Sequence, residues 1–468
     1  MLPGTFSALS AVQRAEALLD AGTFVPMTDV SGRPALVIGR GRIGRRMVLV
    51  ALTDGHVRGG TIGIREARWL AQLTEAANRP GQGPTALIIG FDTGGVRVEE
   101  GPQALAAAAA VGVALAQLTL LGTRLIAIIS GPRGCFGAPA VMASLPAHIF
   151  MTADARWGLT GPKLVSRVNT ARALEQAALD ATSATVRLHN GDAHVVVPDL
   201  ATAVRAQVVQ VVSARVRRSP LPSPAARMAE SATVTADLLS RFNAAVSPRR
   251  VKASVGRRRR DLLRYSFRGQ WKPTGPIQRR GLVHAALGTL GNYPALGIII
   301  GPEQVRRSGV GIEEAAVITD MLRLATQTED QRRAAILTFL FCQGHAVDFT
   351  QERFGLHRAL AECLRALVAA RQRGHPIVSI LGGGTYGAAY LALAAPSHRI
   401  LAMRGTSIAP MAPEVLRAFH ALRGRAAPHA VDQLADLIPD IRIVESVIRL
   451  PRVLREELTK LLPEALGA

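Results

Sequence analysis

Between residues 36 and 165, short apolar runs alternate with segments whose apolar residues recur at helical spacing. LVIG, MVLVAL, ALIIGFD, LIAIIS and HIFMT read as strands, bounded by glycine or polar residues. REARWLAQLTEAANR and the Ala-rich stretch after Gly101 read as the helices between them. Strands alternating with helices predict an α/β layer fold. Residues 1–35 predict a helix at QRAEALLDAG and a Pro- and Gly-rich entry, and residues 171–216 predict helices around a short strand, AHVVV.

The alternation breaks over residues 217–280, where RRSPLPSP and a short helix at TVTADLLSRF lead into a basic run. Such a stretch reads as a linker. The pattern resumes near Gly281 with LGIII, GIEEAAVITDMLRLATQ, AILTFLF, LHRALAECLRALVAARQR, PIVSIL and HRILAM, and ends in a helical C-terminus. The expected organisation is a domain at 1–216, a linker at 217–280 and a second domain at 281–468.

The two halves share more than a pattern. ALIIGFDTGG carries Gly94 and Gly95, and GCFGAP follows with Gly137; AILTFLFCQG ends at Gly344, and GTYGAA follows with Gly387. Gly94 and Gly344, like Gly137 and Gly387, are 250 residues apart. At that offset LPAHIF overlies APSHRI, matching His148 with His398. Repetition of strand, glycine turn and helix predicts two copies of one fold, with a site expected where the copies face each other.

Glycine pairs of this kind permit two readings. They allow tight strand-to-helix turns in any α/β protein. They also bare backbone N–H groups, and two such turns converging at a helix start make an oxyanion hole. The candidate donors are Gly94, Gly95, Val96, Gly137 and Ala138 in the first half, and Gly344, His345, Gly387 and Ala388 in the second. Arg97 is a candidate anchor for a phosphate or carboxylate, or a turn brace paired with Glu99 or Glu100. His345 and Tyr386 are candidate proton donors, and Cys135 reads as a small residue filling a turn rather than a nucleophile.

Composition narrows the field. The length suits two to three domains, and 48% hydrophobic residues can fill their cores. The three cysteines, Cys135, Cys342 and Cys363, form no CxxC pair. A zinc ribbon and a disulfide framework are therefore not expected, and a reducing cytoplasm is. The N-terminal sequence lacks the order of a signal peptide. Residues 104–123 are uncharged and long enough to span a bilayer, but their alanine content favours a helix buried between protein layers, so no membrane role is expected. The net charge of +22 is concentrated: residues 249–280 hold twelve Arg or Lys against Asp261 alone. That segment is a solvated linker, a dock for an acidic carrier protein or its phosphates, or, less favoured, a nucleic-acid surface using Tyr265, Phe267 and Trp271.

GGVRVEEG (94–101) resembles the GGxRxxEG signature of acyl-CoA carboxyltransferases, which have the spiral ββα fold of the ClpP/crotonase type, and RGGTIGIRE (58–66), with Gly60, resembles their upstream glycine element. FDTGGVR, GCFG and GLTGP together are similar to the β subunit of biotin-independent malonate decarboxylases. QGH, RQRGHPIVSIL and GTYGAAYLALA resemble the γ subunit, fused in line. The resemblance implies two crotonase-like domains in tandem that decarboxylate a malonyl thioester on an acyl carrier protein to the acetyl thioester. It implies that amides near Val96 and Ala138 hold the thioester oxygen of an enolate, and amides near His345 and Ala388 the departing carboxylate. Gly60, Arg97 and Tyr386 would contact substrate. No metal or biotin is needed, and no cofactor is bound beyond the CoA-like phosphopantetheine arm of the carrier. The implied partners are the carrier protein and a malonate/acetyl transferase subunit in a multi-subunit complex. The chain departs from the family at Lys163, where a glutamate is usual, and at Phe341, Cys342, His345 and Tyr386-Gly387-Ala388. A carboxyltransferase component of a biotin-dependent acyl-CoA carboxylase and a non-catalytic carrier-binding scaffold are the alternatives.

Overall fold

The computed structural model describes residues 4–79, 83–168, 174–214, 224–225, 271–291, 293–301, 309–327, 333–342, 344–422, 437–438 and 440–461. The predicted helix at TVTADLLSRF and the basic run as far as residue 270 lie outside the described residues. The chain divides into two compact units, residues 1–227 with 347–361, and residues 228–346 with 362–468.

The first unit is built on a seven-stranded sheet whose spatial order equals its sequence order: β1 (Val25–Pro26), β2 (Leu36–Ile43), β3 (Arg46–Thr53), β4 (Ala86–Phe91), β5 (Leu125–Ile129), β6 (His148–Thr152) and β7 (Val195–Val197). The first three strands pair antiparallel and the rest parallel. Parallel neighbours require crossovers. These are α2 (Ile64–Ala77), α3 (Gly101–Leu120) and the short α4 (Ala138–Ala143). Val48, Val50, Ile88, Ile126 and Phe150 form one core face, closed by Ala15 and Leu18 of α1 (Ala11–Leu18) and by Val204 and Val208 of α8 (Ala201–Ser213). Between β6 and α8 lie α5 (Pro162–Val168), α6 (Leu174–Ala181) and α7 (Ala184–His189).

The Ala-rich stretch is α3, which packs on α2 and α4. Val98–Leu120 is long and apolar enough to cross a membrane by length and composition. Here its small residues let Ala104, Ala108, Ala109 and Ala116 lie fully buried against neighbouring helices and sheet.

The second unit repeats the plan. Its sheet runs β17-β15-β13-β12-β11-β10-β8, with β9 also on β10. The strands are β8 (Trp271–Pro273), β9 (Gln278–Arg280), β10 (Val283–Leu290), β11 (Tyr293–Ile300), β12 (Ala335–Leu340), β13 (Ile377–Leu381), β15 (Arg399–Met403) and β17 (Ile441–Val444). A separate pair joins β14 (Thr385–Tyr386) to β16 (Ile408–Ala409). Again an antiparallel hairpin, β10–β11, leads into parallel strands, with α9 (Ile312–Gln327) as the first crossover. Each unit is thus an α/β spiral of ββα turns, the crotonase-like architecture in tandem. Residues 271–280, expected in the linker, form β8 and β9. Trp271 anchors them by lying over Gly297, where a Cβ would fall 3.2 Å from its ring, and Arg280 pairs with Glu313.

The repeat does not keep a constant offset. Ile126 faces His148 in the first sheet, while its counterpart Val378 faces Arg399 rather than His398. The extra residue is taken up after Gly387, where the helix continues as a π-helix, Tyr390–Ala394. His148 is therefore a residue of β6, whereas His398 precedes β15 and its Nδ1 accepts the N–H of Ile377 at 3.1 Å. The two histidines therefore do not hold equivalent positions in their sheets.

Candidate active site

The first unit gathers the loops after β3, β4 and β5 through Asp92, which follows β4 and is fully buried. Its carboxylate accepts from Arg14 Nη2 at 3.0 Å, from the Gly55 amide at 3.1 Å and from the Arg133 amide at 3.0 Å. Gly55 and Gly131 leave room for it, since a Cβ on either would fall within 2.4 Å of a carboxylate oxygen. Arg14 also donates to the carbonyls of Phe6, Ser7 and Thr53, tying α1 to the same point. Neither Asp92 nor Arg14 stood out in the sequence.

From Asp92 the chain makes its glycine turn. The Gly94 N–H donates to Gly59 at 2.9 Å and the Gly95 N–H to Thr93 Oγ1 at 3.2 Å. Ile62 pairs with Val96 as a parallel bridge, donating to Gly95 O at 3.0 Å and accepting from Arg97 N at 2.9 Å. The N–H of Val96, on the opposite side of that bridge, meets no acceptor among the described residues. Gly95 has φ +120°, a region that favours glycine.

The second turn arrives from β5. Gly137, at φ +68° and ψ −147°, opens α4. Its N–H donates to Leu159 O at 2.9 Å. The next amide, Ala138 N–H, likewise has no acceptor among the described residues. A Cβ on Gly137 would touch Gly95 Cα at 3.5 Å, so the two turns are in contact. Four of the five first-half candidates thus lie on two touching turns: Gly95 and Gly137, with the amides of Val96 and Ala138 following them. Gly94 is used in holding Gly59. The helix that follows Gly137, α4, is only six residues long.

Other candidates have structural tasks. Arg97 is buried: Nη1 pairs with Glu66 at 3.0 Å and Glu100 at 2.6 Å, Nη2 donates to Thr61 O at 2.9 Å, and Nε to Thr61 Oγ1 at 3.3 Å. These contacts make it the brace of the turn, not an anchor for substrate. Burial opposes the charge on Arg97 most strongly, but the carboxylates outweigh it and its pKa is raised. Gly60 serves close approach, since a Cβ there would fall 1.9 Å from the Asp92 carbonyl oxygen. Cys135 lies buried between Thr93 and Trp157, and burial raises its thiol well above the usual range, which removes the thiolate a nucleophile needs.

The second unit builds a similar turn. Val310 donates to Gly344 O at 2.9 Å, and Ala346 donates to Val310 O at 3.0 Å. By these bonds Gly344, at φ +102°, corresponds to Gly95 rather than Gly94, and His345 to Val96. Gly387, at φ +52°, corresponds to Gly137 and precedes Ala388. Tyr386 is buried, with its ring folded over Gly384, where a Cβ would fall 2.4 Å from the hydroxyl. Burial takes the His345 imidazole down to about 4. Burial thus favours the neutral ring at neutral pH, which keeps one N–H donor and one acceptor nitrogen.

That shift fixes a direction for stability. His345 protonates near its ordinary value when unfolded but only near 4 when folded, so its contribution is complete above about 6.5 and is lost as pH falls through about 4. The loss is on the order of 3 kcal/mol. Urea unfolding at pH 7 and pH 4.5 is expected to give a smaller pH effect for His345→Gln than for the native chain.

Comparison with known proteins identifies a family and several relatives. Residues 7–427 match the carboxyl transferase domain family. The malonyl-S-ACP:biotin-protein carboxyltransferase of Malonomonas rubra is 28% identical over 193 residues, 35% of this chain and 60% of that protein. The human mitochondrial propionyl-CoA carboxylase beta chain is 32% identical over 179 residues, 34% of this chain and 32% of that protein. The chain thus spans between a third and three-fifths of the length of these relatives. A Pseudomonas malonate decarboxylase hetero-tetramer, solved with malonate, is 28% identical and covers 45% of this chain and 84% of its own, with a TM-score of 0.42. With its match running through both units, the chain belongs to the carboxyl transferase domain family.

Proposed function

We propose that the first unit cleaves the carboxyl group from a malonyl thioester carried on an acyl carrier protein, leaving the acetyl thioester. Breaking the C–C bond delivers its electron pair to the thioester as an enolate while carbon dioxide departs. A proton then adds to the terminal carbon. The observation that carries the reading is a pair of amides, Val96 and Ala138, that meet no acceptor among the described residues and follow two glycine turns in contact. Fixed N–H donors facing a developing oxyanion favour the transition state without reorganising. The thioester is its own electron sink, so the reaction needs no metal or biotin. In this reading the carrier's phosphopantetheine arm brings the substrate, and a transferase subunit reloads it. The turn at Gly344 and Gly387 is a second anion-holding element of the same kind.

The name of the Malonomonas relative favours a second reading, in which the carboxyl group passes to biotin on a partner protein. Mass analysis of the thioester separates the two. Full-length chain with malonyl carrier protein alone is expected to yield acetyl carrier protein. Acetyl product formed only when a biotinylated acceptor is added would establish transfer instead, and no product under either condition would sink both.

A further inference from the structure

Residues 347–361 group with the first unit although the rest of that unit ends at residue 227. The segment opens with Asp348, whose carboxylate caps α10 (Phe349–Arg353) by accepting from the amides of Thr350 at 2.8 Å and Gln351 at 3.3 Å. α10 presents Glu352, which is fully buried. One carboxylate oxygen, Oε2, accepts the N–H of Leu159 at 2.9 Å, and the other, Oε1, accepts that of Thr160 at 2.7 Å. Gly158 makes room for this, because a Cβ there would stand 2.6 Å from Oε2.

The residues gripped in this way are the ones that hold the candidate site. Leu159 offers its carbonyl to the Gly137 N–H at 2.9 Å. Two residues earlier, Trp157 donates its indole N–H to Ala140 of α4 at 3.2 Å, and its ring packs on His357 with centroids 4.4 Å apart. The strip 157–160 therefore lies between the segment and the turn. The segment is itself held from behind. Buried Arg187 donates to the Glu352 carbonyl and pairs with Asp192 at 2.9 Å, and Gly355 packs on Asp192.

We propose that Glu352 is a positioning residue for the Gly137–Ala138 turn, acting through the Leu159 and Thr160 amides and the Leu159 carbonyl. It touches no substrate. Its carboxylate satisfies two adjacent donors with one rigid group, which fixes the peptide whose carbonyl aims the Gly137 amide and so sets the direction of the Ala138 N–H. A carboxamide accepts only one of the two bonds and turns its NH2 toward the other donor. This inference rests on the proposed reading of Val96 and Ala138 as oxyanion donors for the value of the turn, but not for its mechanical content.

The test uses the chain with Glu352→Gln, and with Gly158→Ala as a second variant whose Cβ would stand 2.6 Å from Oε2 and displace the carboxylate. Hydrogen–deuterium exchange is read on peptides covering residues 134–143 and on the β2–β3 hairpin, alongside steady-state decarboxylation of malonyl carrier protein. Both variants are expected to speed exchange at 134–143 while leaving the hairpin unchanged, and to lower kcat about 10- to 100-fold with KM within about twofold. Unchanged exchange at 134–143 in a folded variant overturns the positioning role. So does a loss in kcat matched by an equal rise in KM. A native chain without thioester turnover, whose variants nonetheless loosen 134–143, counts against the proposed reaction and supports the positioning role.

Discussion

Replacing Asp92 by alanine is expected to destabilise the first unit by about 3–5 kcal/mol, because it breaks a buried ion pair and leaves its partner uncompensated. The partner is Arg14, which is 1% exposed and has no route to water without moving α1. The same change removes the acceptor for the Gly55 and Arg133 amides, so the loops after β3 and β5 lose their common anchor. Since whole domains are stable by roughly 5–15 kcal/mol, the loss takes a large share of what holds the unit folded. Asp92→Asn keeps one acceptor oxygen but not the charge, and should fall between alanine and the native residue. Urea unfolding followed by tryptophan fluorescence gives the ordering. A shift below about 1 kcal/mol for the alanine variant would mean that Arg14 is solvated elsewhere, and the hub role of Asp92 would fail.

Gly137→Val is expected to cut turnover on malonyl carrier protein by about 10²–10³-fold while leaving the chain folded. The backbone there, at φ +68° and ψ −147°, lies in a region essentially restricted to glycine. A branched side chain forces the turn toward ordinary dihedral angles and turns the Ala138 N–H away from the Val96 N–H. The added Cβ also meets Gly95 Cα at 3.5 Å, so its methyl groups push directly on the facing turn. Binding of the carrier protein should change little, which places the effect in kcat. Turnover within tenfold of native would show that Ala138 is not a donor in the reaction.

The first-half elements could be read from the chain because β3, β4, β5 and β6 are runs of Val, Ile, Leu and Phe closed by glycine or polar residues, and α2 carries a clean helical stripe ending at Asn78. In the second unit, β10 is VHAALGTL, whose alanines and glycine give little strand signal. It is a strand because β11 pairs along its whole length and Trp271 covers its glycine. β8 and β9 sit among arginines and prolines, where only pairing with β10 makes them strands. The register shifts between the halves were hidden because they change along the chain: Gly344 answers to Gly95, Val378 to Ile126, and the extra residue of the π-helix comes only after Gly387.

The site was legible where glycine is obligatory. Gly95, Gly137, Gly344 and Gly387 all take positive φ, and backbone requirements of that kind leave a mark in sequence. Side-chain roles left a weaker one. Arg97 had both a bracing and a binding reading, and only its contacts with Glu66 and Glu100 separate them. Glu352 left none, because the amides it accepts from, Leu159 and Thr160, lie nearly two hundred residues upstream, and no local pattern links a helix carboxylate to distant amides.

The central claim is that the Val96 and Ala138 amides bind a thioester enolate more tightly than the thioester itself. A nitroacetyl thioester of pantetheine ionises to an anion shaped like that enolate, and analogues of a transition state bind at least 10²-fold more tightly than the ground state where such a site exists. Calorimetric affinities of this anion and of acetyl pantetheine, measured on the native chain and on Gly137→Val, test it directly. The account predicts a preference of at least about 100-fold for the anion in the native chain that collapses in the variant. Equal affinities in the native chain, or a preference the variant retains, would contradict it.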